Sequence, residues 1–146
     1  MGDRKTGPTG GCLCGAVRYA IGGAMRPVVA CHCAQCRKTS GNFVAATAVH
    51  EDDLRIEGED NLRWFRSSAW ARRGFCGTCG SNLFWKRDGD AHVSIMAGTL
   101  DGATGLRTAA HIFVADKGDY YDIGGDAPRH RQSGHGIPSP TAGEKR

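Results

Sequence analysis

Every cysteine in this chain has another cysteine close by in sequence. Cys12 and Cys14 form one pair, Cys31, Cys33 and Cys36 a triplet, and Cys76 and Cys79 a second pair, which accounts for all seven. Free cysteine packs well as a small apolar residue, but packing gives no reason for such clustering. Disulfides are a poor account of an odd number of cysteines in a chain whose first residues carry no apolar run of the kind a secretory signal needs. Grouped thiols at these spacings point to a metal. In extended backbone, residues i and i+2 project to one face. Cys12 with Cys14, and Cys31 with Cys33, therefore each present two sulfurs to one side. Cys76-Gly77-Thr78-Cys79-Gly80 is a knuckle whose glycines let the backbone turn around a shared ion, and Cys33-Ala34-Gln35-Cys36 repeats its spacing.

Zinc is the natural ion. It takes thiolates tetrahedrally, in closed structural sites of four protein ligands and in catalytic sites of three with one open position. Seven cysteines divide as four plus three, which predicts two zinc ions per chain. Keeping Cys31, Cys33 and Cys36 together leaves Cys12, Cys14, Cys76 and Cys79 as the closed set. Two other arrangements stay open on spacing alone: one structural zinc with spare thiols, and two closed sites with His32 as the eighth ligand. His32 faces away from its neighbours if the segment is extended, which favours a core or supporting role.

The elements that must position these clusters are short strands. Val17, Tyr19 and Ile21 alternate with Arg18 and Ala20, a period of two. Further β-rich runs cover residues 43–49, 54–57, 62–65, 71–75, 82–85, 92–96 and 110–114, and one short helical turn is expected over 34–39. The 22 glycines fit many turns better than long helices. The class is mainly β. The three tryptophans and the phenylalanines are expected in the core, with Phe75 and Phe84 shielding the knuckle from water. Asp101, after Gly98-Thr99-Leu100, is expected to serve a turn.

With 146 residues, 40% apolar and 23% charged, the chain fits one soluble domain over about residues 10–125. Residues 126–146 are rich in Pro, Gly, Ser and charge, and are expected to form a flexible tail. No run approaches the roughly 20 apolar residues of a membrane helix, so the default compartment is the cytoplasm and no membrane partner is expected. The net charge of +4 owes much to Arg129, Arg131, Lys145 and Arg146 in the tail. Basicity placed there, not on a body face, makes nucleic acid an unlikely partner.

The order C-x-C, then C-H-C-x-x-C-R-K-x-S-G, then C-G-x-C-G-S-x-L-F-W resembles the glutathione-dependent formaldehyde-activating enzyme (GFA) family. The likeness continues through Val93-Ser94-Ile95-Met96-Ala97-Gly98-Thr99-Leu100-Asp101 and His111-Ile112-Phe113-Val114-Ala115-Asp116-Lys117. It implies a β-tent fold of small antiparallel sheets around zinc. It implies a structural zinc at Cys12, Cys14, Cys76 and Cys79 and a catalytic zinc at Cys31, Cys33 and Cys36. Centromere protein V has a similar domain and is linked to chromatin and microtubules.

The activity implied is that of a zinc-dependent carbon–sulfur lyase. It would form or cleave a glutathione–aldehyde adduct such as S-(hydroxymethyl)glutathione. Glutathione carries two carboxylates, so Arg37 and Lys38, directly after Cys36, are candidate contacts. His50 and His111 are available, but neither is assigned as a general acid. The alternative from a different class is a zinc-stabilised binding module without catalysis. A redox enzyme, as in the similarly folded methionine sulfoxide reductases of the B type, needs a free nucleophilic cysteine, and every cysteine here has a ligand role.

Overall fold

The computed structural model describes residues 7–133, 140 and 141. Ten strands and, among the described residues, one helix make a mainly β fold of two sheets. The small sheet has three antiparallel strands in the order β1 (Thr9–Gly11), β2 (Arg18–Ile21) and β5 (Leu54–Glu57). The large sheet runs from β10 (Thr108–Ile112) through β3 (Val28–Cys31), β4 (Val44–His50), β9 (His92–Met96), β8 (Asn82–Arg87) and β7 (Ala71–Cys76) to β6 (Leu62–Arg66). All its pairings are antiparallel except β10 with β3. Small, largely antiparallel sheets flanking cysteine clusters are the architecture expected from the sequence.

The core lies between the sheets. Tyr19 and Ile21 of β2 meet Val49, Phe84, Val93 and Ile95 of the large sheet. Fully burying side chains of this size contributes about 1.5–3 kcal/mol each. Ile95 and Val49 are completely inaccessible, as is Cys76, so the second cysteine pair enters from the core side. Three of the expected core aromatics are not core: Trp64 and Trp70 are 39% and 50% exposed, and Phe65 is 62% exposed. The reason is position, since β6 is an edge strand and Trp70 lies in the β6–β7 turn.

The single helix, α1 (Ala34–Ser40), follows β3 after two residues. Cys33 is its N-cap, and its side chain accepts the Cys36 N–H. Gly41 ends it in the left-handed region (φ 83°) with its N–H on the Arg37 carbonyl, a conformation that Gly adopts at little cost. Beyond residue 125, where a flexible tail was expected, the backbone bonds to the edge of the large sheet. The His111 N–H reaches the Pro128 carbonyl, the His130 N–H the His111 carbonyl, and the Phe113 N–H the Gln132 carbonyl. An edge strand carries unpaired donors and acceptors that such a segment satisfies. The remainder of the expected tail, apart from residues 140 and 141, lies outside the described residues. No helix among the described residues is long and apolar enough to cross a membrane.

Candidate metal centres

The two cysteine clusters sit on opposite faces of the large sheet. On the core face, Cys12 follows β1, Cys14 lies in the next turn, Cys76 ends β7 and Cys79 closes the knuckle. Their four sulfurs all lie within 4.8 Å of one another. Cys12 Sγ is 3.6 Å from Cys14 Sγ, and Cys14 Sγ is 3.8 Å from Cys76 Sγ. These are not disulfide distances, since a disulfide needs about 2.05 Å. Zinc–sulfur bonds of about 2.3 Å place tetrahedral sulfurs about 3.8 Å apart, so the spacing suits a zinc ion. Backbone amides already face the sulfurs. Val17 N–H donates to Cys12 Sγ (3.2 Å), and Thr78 and Cys79 N–H to Cys76 Sγ (3.3 and 3.4 Å). Phe84, 1% exposed, packs in the same cluster as Cys12 and Cys76. Gly80 supplies the left-handed turn (φ 81°) that leaves the knuckle.

On the other face, Cys31 ends β3, Cys33 caps α1 and Cys36 lies one turn into it. Their sulfurs also lie within 4.8 Å of one another. Without a cation these thiols compete for one negative charge. Cys33 is held far below the ordinary thiol range, chiefly by hydrogen bonds from Cys31 and Cys36. Cys31 is pushed up by its contacts with Cys33 and Cys36 and by burial. A metal removes that conflict because it deprotonates the thiols that coordinate it.

This triplet opens onto a cavity of about 550 Å³, which none of the other four cysteines lines. Sheet register explains the floor, because cross-strand partners share a face. Ile112 is paired with Cys31, Cys31 with Val44, Ala46 with Met96, and Trp85 with Arg73. All of these side chains line the cavity. Trp70 stands edge-on to Trp85 (82°) and forms part of the wall. Arg26, Arg73 and Arg87 bring positive charge against a single lining acid among the described residues, Asp116.

Arg73 is the informative one. It is only 6% exposed, yet no carboxylate lies within ion-pair distance of it among the described residues. Its Nη2 donates to Cys36 Sγ (3.6 Å) and Gln35 Oε1 (3.3 Å), and its Nε has no partner. A buried charge without a counter-charge is strongly unfavourable. Three thiolates around a dication carry a net −1 and supply that counter-charge. The donor set and the orphaned guanidinium therefore both fit a zinc ion at Cys31, Cys33 and Cys36.

Comparison with known proteins agrees with this geometry. The family described as glutathione-dependent formaldehyde-activating enzyme matches residues 7–116. The chain belongs to the GFA family. One relative, from Schizosaccharomyces pombe and named as an uncharacterized lyase, is 29% identical over 116 residues, covering 78% of this chain and 83% of its own. A crystal structure of a Rhodobacter sphaeroides protein superposes with a TM-score of 0.57 at 25% identity, covering 66% of this chain and 91% of its own.

The remaining residues singled out from the sequence of this GFA chain fall as follows. Arg37 is half-buried and Lys38 exposed, and neither lines the cavity. His32 is wholly buried on the side away from the cavity, where its ring contacts Tyr121 and His111. His50 caps the turn after β4 by accepting from the Asp52 N–H. Asp101 accepts from Arg18 and Thr9 and so ties the small sheet to the loop after β9. Sequence reasoning missed Arg26, Arg73, Arg87 and the cavity role of the two tryptophans. Alternation along residues 71–75 could have placed Arg73 on a buried face, but the missing carboxylate partner is visible only in three dimensions.

Proposed function

We propose that this GFA-family protein is a zinc-dependent carbon–sulfur lyase that forms or cleaves the adduct of glutathione with an aldehyde, S-(hydroxymethyl)glutathione being the simplest. The observation that carries the reading is the opening of the three-cysteine cluster, and of that cluster alone, onto the arginine-lined cavity. Cys31, Cys33 and Cys36 would hold a catalytic zinc, and Cys12, Cys14, Cys76 and Cys79 a structural one. A zinc ion at the triplet would supply a Lewis acid with one position left for a substrate thiol.

The protein's own groups account for the rest. The Cys36 N–H and the Arg73 guanidinium hold the ligand sulfurs in place. Arg26 and Arg87 offer cationic partners for the two glutathione carboxylates, whereas Arg37 and Lys38 lie outside the cavity. Trp70, Trp85 and Met96 exclude water from the reacting carbon. In synthesis the thiol sulfur bonds to the aldehyde carbon, the carbonyl pair moves to oxygen, and that oxygen gains the proton the thiol lost. Cleavage is the reverse. Seven free thiols suit a reducing compartment such as the cytoplasm.

The test is zinc content together with glutathione binding, measured on the unaltered protein and on Cys33→Ser. The reading expects two zinc ions per chain, thiol binding and adduct turnover, with the last two lost and one zinc retained in the variant. Two zinc ions without binding of any thiol would overturn it in favour of a zinc-stabilised binding module.

A further inference from the structure

The reaction places negative charge on the aldehyde-derived oxygen, and the proposed function leaves that oxygen without a partner. Among the cavity's cations, Arg26 and Arg87 are already assigned to the glutathione carboxylates. Arg26 donates through Nη2 to the Ala46 carbonyl and through Nε to that of Pro27, and Arg87 lies over the Trp70 ring at 4.9 Å. Arg73 differs in three ways. It is the most deeply buried, it touches the cysteine cluster itself, and only Nη2 of its fork is engaged. A guanidinium carries five N–H donors. Its Nη1 makes no hydrogen bond to any described residue, and it belongs to a side chain that lines the cavity.

The guanidinium is also held firmly. Its strand, β7, is flanked by β6 and β8. Gln35 accepts from Nη2, and the Gln35 amide is itself anchored to the Ser67 carbonyl at 3.1 Å. A preoriented donor in a water-poor site stabilises developing charge far better than a mobile one.

We propose that Arg73 is a catalytic residue, whose free guanidinium N–H groups stabilise the oxygen of the aldehyde as the carbon–sulfur bond forms or breaks. This rests on the lyase reading above. Arg73 keeps its own protons throughout, because a guanidinium does not deprotonate in proteins. As the thiolate sulfur bonds to carbon, the carbonyl π pair moves to oxygen beside Arg73, and that oxygen takes up from solvent the proton that the thiol released to it. In cleavage the hydroxyl gives its proton to water, the carbonyl reforms, and the carbon–sulfur pair leaves with sulfur.

The test uses the zinc-loaded full chain and two readouts. The first is kcat and KM for adduct turnover. The second is calorimetric affinity for S-(carboxymethyl)glutathione relative to S-ethylglutathione, a ratio that reports a contact to an anionic oxygen near the sulfur. Arg73→Met is expected to retain its zinc, to lose about 100-fold in kcat with little change in KM, and to lose at least about tenfold in the affinity ratio. Arg72→Met, on the opposite face of β7, is expected to keep the original ratio. Should Arg73→Met fail to fold, Arg73→Lys decides. It keeps the charge but not the fork, and is expected to lose about tenfold in kcat and in the ratio. An unchanged kcat and ratio in either folded Arg73 variant would overturn the assignment while leaving the lyase reading intact. Absence of turnover by the unaltered protein would overturn both.

Discussion

His32 Nδ1 lies 2.6 Å from the hydroxyl of Tyr121, and this contact fixes the cysteine triplet from behind. Cys31 and Cys33 flank His32 and point toward the cavity, while the His32 ring points the other way and is wholly buried. Its second nitrogen lies 3.0 Å from His111 Nδ1, and its ring packs on Phe43 at 4.9 Å. One side chain thus sets the backbone on which two proposed zinc ligands ride.

Tyr121→Phe removes the hydroxyl and leaves a buried ring nitrogen unsatisfied. The expected cost is about 1–3 kcal/mol of stability. Supporting groups behind a metal ligand typically change metal affinity by about 10–100-fold. Competition with a chelator is therefore expected to show one zinc per chain held as before and the other held at least about tenfold more weakly. Equal loss from both sites, or from neither, would contradict this role for the pair.

Much of this arrangement was legible in the sequence, for identifiable reasons. Residues 92–96 alternate cleanly, and β9 occupies that span. Cys12 to Cys79 could be grouped because thiols at such spacings have few other uses. β3 was not foreseen, although Val28-Val29-Ala30 is apolar throughout. A central strand covered on both faces has no alternation to detect, and three residues are too few to separate strand from helix. β1 was missed because two of its three residues, Gly10 and Gly11, carry no side chain and Thr9 alone sets no pattern. Its backbone is needed for closeness: a Cβ on Gly10 would lie 2.3 Å from the Tyr19 hydroxyl. The cavity was not legible, since it depends on the register of six strands and on where α1 lands.

The two clusters are expected to fail differently. Cys76 is inaccessible in the main core, whereas Cys33 lies half-exposed on the cavity side. Loss of a ligand in the core couples to folding. Cys76→Ser is expected to lower the melting temperature by about 10 °C or more, or to prevent folding, because a few kcal/mol corresponds to that shift in a domain of this size. Cys33→Ser is expected to melt less far below the unaltered protein than Cys76→Ser does and to lose thiol binding. A calorimetric scan of both variants checks this, and similar melting losses would dissolve the distinction between structural and catalytic clusters.

Gly58 gives a test of the fold that does not involve the cysteines. It sits at φ 81°, and a Cβ there would lie 1.9 Å from the Ala16 carbonyl oxygen. Both the backbone conformation and the contact oppose any side chain. Gly58→Ala is expected to destabilise by about 2–4 kcal/mol, read from urea unfolding with an unchanged slope. Gly89 has a similar φ of 77° but nothing within 4 Å. Gly89→Ala should therefore cost only the backbone strain, about 1 kcal/mol, and equal losses at the two positions would show that crowding at Gly58 contributes nothing.

Arg18 and Asp101 join the small sheet to the loop after β9, and they set an expectation about acid. The guanidinium of Arg18 holds the Asp101 carboxyl below its ordinary value of 3.8, with help from the Thr9 hydroxyl. The folded protein therefore binds this proton less readily than the unfolded chain does. The contribution is fully present above the unfolded carboxylate value and is lost as pH falls below it. Both side chains are nearly half exposed, so solvent and salt screen the pair. Asp101→Asn is expected to lose a little stability at neutral pH and progressively less below the unfolded carboxylate value, which narrows the difference from the unaltered protein as the medium is acidified. Urea titrations at several pH values measure that difference directly, and a gap that stayed constant down to pH 2.5 would mean that the Asp101 charge contributes nothing.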